Sequence, residues 1–122
     1  MKLRAFFATL LAMWVIPIPV YGAFSAAGWM SPPQSNNLAD FLLGVTLIKA
    51  GFAGGFVALF PAEGRWLRYA AIWWIMFAAL ELGQVVTGNN ATAFAVAGII
   101  SEALYFPVAA RATDRFLRPT GT

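Results

Sequence analysis

Four runs of about twenty apolar residues, at about 4–26, 38–60, 66–88 and 91–111, leave this chain few folds to choose from. Each is long enough to cross a hydrocarbon core of about 30 Å as a helix. Inside such a core every backbone N–H and C=O needs a partner, and a helix supplies those partners from within its own segment. Hydrophobic residues make up 61% of the 122-residue chain and charged residues only 11%. A soluble domain carries about 25% charged residues, so this chain lacks the polar surface that water would require. The sequence predicts one all-α domain over 1–122, an integral membrane four-helix bundle with antiparallel neighbours and lipid as its first partner.

The few charges fix the expected orientation. Lys2 and Arg4 precede the first run, Arg65 and Arg68 flank the link between the second and third, and Arg111, Arg115 and Arg118 follow or end the fourth. The segments 27–37 and 88–90 contain no Lys or Arg. Basic residues stay on the cytoplasmic side, which puts both termini in the cytoplasm, and a bacterial inner membrane is the expected location. The net charge of +3 therefore reads as a topology signal and not as a nucleic-acid surface. An alternative reading of the N-terminus is a secretory signal: Met1-Lys2-Leu3-Arg4, an apolar run, then Tyr21-Gly22-Ala23-Phe24-Ser25-Ala26. Pro17 and Pro19 lie inside that run and predict a kinked first helix, since each removes a backbone donor.

The absent residues narrow the chemistry. With no cysteine and no histidine, the chain lacks thiolate ligands, imidazole ligands and the commonest general base. Neither a metal nor a cofactor is expected. The remaining candidates are three ionisable residues deep in the apolar runs: Lys49, Glu81 and Glu102. A charge at the bilayer centre costs roughly 2.5–3.5 kcal/mol on insertion scales, so intramembrane charges are usually paired or functional.

Helical spacing places these residues on faces. In the fourth span Ala91, Ala95, Gly98, Glu102, Tyr105 and Ala109 form a small-residue stripe around a carboxylate. Such a stripe lets helices approach closely, so Glu102 is expected to face the bundle interior. Ser101 adjoins it, and Pro107 deprives the Ala103 carbonyl of its usual donor. In the third span Trp74, Phe77, Ala78, Glu81, Gln84 and Gly88 share a face, with Glu81 and Gln84 one turn apart. In the second span Lys49 shares a face with Leu42, Thr46, Ala53 and Phe56. Gly44, Gly51 and Gly55 lie on another face, and Gly51 and Gly55 form a GxxxG spacing that suits helix packing.

Lys49 and Glu102 fall at similar depth, with Glu81 about one turn nearer the outer side by the 1.5 Å rise per residue. All three can therefore meet in one pocket, where Lys49 neutralises one carboxylate and the other holds a proton or a ligand. Trp74, Phe77 and Tyr105 are candidate apolar walls. The bland alternative makes the charges internal ties between helices and the aromatics ordinary packing. Asn37 reads as the N-cap of the second span, with Asp40 in its first turn.

The order of spans, the polar-then-glycine-rich second span (Asn37-Leu38-Ala39-Asp40 to Gly54-Gly55) and Ser101-Glu102 in the fourth carry a resemblance to small bacterial four-helix membrane proteins of the DoxX-like group. The likeness covers most of the chain and implies topology more than activity. Small multidrug exporters share the length but place a glutamate in the first span, and none stands there here. Three functions are open on the sequence. The first is a binder or proton-linked carrier of a small or apolar molecule. The second is an accessory subunit that packs on a membrane protein or on copies of itself. The third is a membrane enzyme with Glu81 or Glu102 as general acid or base and Lys49 stabilising negative charge.

Overall fold

The computed structural model describes residues 2–30 and 37–118. Five helices follow in order: α1 (Lys2–Val15), α2 (Pro17–Ala26), α3 (Leu38–Ala58), α4 (Trp66–Val86) and α5 (Thr92–Leu117). α1 and α2 together make one apolar stretch, Lys2–Ala26, and with α3, α4 and α5 they provide four helices long and apolar enough to cross a membrane. The chain is thus an all-helical bundle whose outer surface is largely apolar, with Leu47, Ile48, Ile75 and Leu80 among the exposed large side chains.

The break between α1 and α2 falls at Ile16, and Pro17 opens α2. The proline that caused it has no N–H to give to the Met13 carbonyl one turn earlier. α3 begins at the cap read from sequence: Asn37 accepts from the N–H groups of Ala39 (3.0 Å) and Asp40 (3.2 Å). The link to α4 turns through positive φ at Gly64 (91°) and Arg65 (31°), and Gly88 (79°) closes α4 in the same way. Positive φ favours glycine at both turns.

α5 is the hub. It packs on α4, α1 and α2, while α1 also packs on α3. Half of its most apolar stretch is buried, against 11% for α4. Small residues explain the difference: Ala95, Gly98, Ala109 and Ala110 are buried and let neighbouring backbones come close. α5 also runs past residue 111 to Leu117, held by Asp114, which pairs with Arg118 (2.8 Å) and Arg111 (3.5 Å). Arg118 further donates to the Glu63 carbonyl (3.3 Å) and so ties the end of α5 to the α3–α4 link.

α3 and α4, despite their short link, touch through long side chains and hardly at all through their backbones. Phe52 meets Phe77 (centroids 4.8 Å apart) and Phe56 meets Tyr69 (4.8 Å) and Trp73 (5.4 Å). The Tyr69 hydroxyl donates to the Phe56 carbonyl. Phe56 and Phe106 stack at 5.7 Å in the centre of this cluster. The GxxxG spacing does not serve a close helix approach within the chain. A methyl at Gly51 would meet nothing within 4 Å, and one at Gly55 only the rim of Trp73 at 3.9 Å. The aromatic ring between α3 and α4 holds the backbones too far apart for glycine packing.

Candidate functional site

α5 and α4 build the polar centre of the bundle. The stripe on α5 turns inward as its small residues require: Ala95, Gly98, Glu102, Tyr105 and Ala109 are buried, and Ala91 at the helix start is exposed. Glu102 is only 2% exposed. On α4, Trp74, Phe77, Ala78 and Glu81 form the half-buried face. Glu81 extends across the groove to α5 and lays its carboxyl over Gly98, one turn before Glu102. The fit is tight. A methyl on Gly98 would collide with Glu81 Oε1 and stand 2.9 Å from its Cδ and 3.1 Å from Oε2.

The two carboxyls thereby come within hydrogen-bonding reach of each other. Neither oxygen of Glu102, nor Glu81 Oε2, has a donor from elsewhere among the described residues. An ionised carboxylate only accepts, whereas a protonated one donates. Two ionised carboxylates so placed repel each other, and a proton shared between them relieves that repulsion. Ser101 does not join them, because its hydroxyl bonds the Ala97 carbonyl of its own helix (2.8 Å). Tyr105 and Tyr21 lie within electrostatic range of both carboxyls.

Lys49 has a different partner. Its ammonium donates to the Met13 carbonyl and sits over the Trp14 ring, 5.4 Å from the centroid. The Met13 carbonyl is the one that Pro17 leaves without a helical donor, so the lysine of α3 satisfies the break in the first span. Glu102 acts on Lys49 electrostatically, but no ion pair joins the lysine to either glutamate. The expected three-charge pocket is thus two sites, a carboxyl pair between α4 and α5 and an ammonium at the α1–α2 break.

The other sequence candidates divide in the same way. Tyr105 is buried near the pair. Gln84 is exposed and does not back Glu81, because the inward face of α4 passes from Glu81 to Val85. Trp74 donates its indole N–H to the Ile99 carbonyl (3.0 Å) and borders a separate apolar cavity of about 210 Å³ with Ala103 and Pro107. Phe77 belongs to the aromatic cluster with Phe52 and Phe106.

Tyr21 was not singled out from the sequence. It packs edge-on against Phe94 (5.2 Å) and lines a cavity of about 360 Å³ that Lys49 also lines. Its signal was present as a hydroxyl-bearing aromatic well inside an apolar run. What placed it near the glutamates is the α2–α5 packing, which no spacing rule reveals. No protein-family model, curated protein or solved structure matches this chain.

Proposed function

We propose that this chain is an integral protein of a bacterial inner membrane, with antiparallel spans and both termini cytoplasmic, that binds or carries a small or apolar molecule or a proton, the proton at the Glu81–Glu102 pair. The observation that carries this reading is Glu102 itself: a buried carboxyl whose oxygens, among the described residues, have no donor except a second glutamate. A merely structural tie would be expected to satisfy its acceptors, since an unmet buried acceptor costs about 1–3 kcal/mol. A cavity of suitable size lies beside it through Tyr21. A DoxX-like relationship, proposed from the sequence alone, would imply the same topology and adds nothing to the activity.

Infrared difference spectroscopy between acid and neutral pH tests the proton site. The expected result is a protonated-carboxyl band at neutral pH that disappears in both Glu81→Gln and Glu102→Gln. Two carboxylates ionised throughout the range from acid to neutral pH would sink the proposal.

One observation favours the accessory-subunit reading. Gly44 and Gly51, one heptad apart on α3, meet nothing within 4 Å in this chain. They suit the close approach of another membrane helix, from a partner protein or a second copy. Disulfide trapping of Gly51→Cys in membranes would detect a second copy at this face. The enzyme reading needs Lys49 and a glutamate on one substrate atom, and the cavity that Lys49 lines is not lined by either glutamate.

A further inference from the structure

Pro17 does more than break a helix. Below the break α1 packs on both α3 and α5, and above it α2 packs on α5 while its backbone hardly approaches α3. The two diverge and leave a cavity of about 360 Å³ between α2 and the first half of α3. That volume is in the range of small-molecule sites, roughly 300–1,000 Å³, which are typically apolar with a few placed polar groups. This one fits that description. Trp14, Ile18, Phe41 and Val45 supply apolar wall. Among the described residues Lys49 is its one charged lining residue, accompanied by the hydroxyls of Tyr21 and Ser25.

The charge of the occupant follows from the same lining. An ammonium carries three protons. Lys49 gives one to the Met13 carbonyl and turns toward the Trp14 face, and no other acceptor among the described residues takes the rest. Among the described residues no carboxylate lines the cavity itself, the Glu81–Glu102 pair lying behind Tyr21. A small inorganic anion would leave the aromatic and aliphatic walls unfilled. A neutral apolar molecule would leave the two remaining N–H groups of the ammonium without an acceptor.

We infer that this cavity binds a single-chain amphiphile with an anionic head, the head meeting Lys49 and Tyr21 and the chain lying along α2 and α3. This deepens the small-molecule reading above and rests on it, but it is independent of proton exchange by the glutamates. The infrared titration decides proton exchange and the binding measurements decide this inference, so either can fail alone.

Radiolabelled dodecanoate binding to the purified full chain in neutral detergent is the test, with dodecyltrimethylammonium and dodecanol as competitors. Saturable binding of about one dodecanoate per chain is expected, with weak competition from the cation and the alcohol. Lys49→Met should weaken binding at least tenfold, and Lys49→Arg should retain most of it. Val45→Trp, which leaves Lys49 in place and fills the cavity, should abolish binding and decides the matter if Lys49→Met does not fold. Equal competition by the cation, unchanged affinity in folded Lys49→Met, or unchanged binding in Val45→Trp would overturn the inference. Displacement of dodecanoate by equimolar phosphatidylglycerol would overturn the single-chain assignment.

Discussion

Replacing Gly98 with alanine tests the carboxyl pair directly. The added methyl occupies the place of Glu81 Oε1 and crowds Cδ at 2.9 Å. The collision itself is cheap, because the end of a glutamate side chain can rotate away. The consequence of that rotation is not cheap. Glu102, 2% exposed, loses the carboxyl that meets it, and among the described residues no other group hydrogen-bonds its oxygens. Leaving a buried polar group unsatisfied costs about 1–3 kcal/mol. Alanine in place of glycine in a helix interior returns about 0.8–1.0 kcal/mol. The net expectation is a loss of about 1 kcal/mol. In a Glu81→Ala background the carboxyl is already gone, so only the helix-propensity term remains and the same substitution should stabilise, by up to about 1 kcal/mol. The sign therefore reverses between backgrounds. Reversible unfolding in mixed micelles with rising dodecyl sulfate would measure both arms of the cycle, with Gly83→Ala, which meets nothing within 4 Å, as the control. An effect of the same sign and size in both backgrounds would refute the Glu81–Gly98–Glu102 arrangement.

Lys49→Met should cost about 1.5–3 kcal/mol by removing a charged donor from the Met13 carbonyl, and less in a Pro17→Ala background where a backbone N–H is restored to that carbonyl; unfolding of the four proteins checks this coupling. Gly64→Ala should destabilise more than Arg118→Ala, because strain at φ 91° adds to a collision with the Arg118 guanidinium; the same unfolding assay ranks the two. Reporter fusions at residue 122 and within 88–90 should report cytoplasm and periplasm respectively, and a periplasmic C-terminus would reject the proposed orientation.

Much of the frame was legible because it depends on local rules. Run length and composition determined the four apolar helices, since a chain this poor in charge has few other ways to satisfy its backbone. The α5 stripe was legible because helical periodicity puts Ala95, Gly98, Glu102 and Tyr105 on one side whatever surrounds them. Asn37 could be read as a cap because its side chain reaches only the next few N–H groups. Which helix meets which was decided only in the tertiary structure. Periodicity says that a residue faces inward but not which neighbour it meets. Lys49 therefore read as a partner for a carboxylate, while packing of α1 on α3 brought it instead to the carbonyl that Pro17 left open. Gln84 read as a companion of Glu81, but over a further turn the inward face of α4 passes to Val85. The meeting of Glu81 with Glu102 across Gly98, and the cavity where α2 leaves α3, both depend on contacts between segments far apart in the chain.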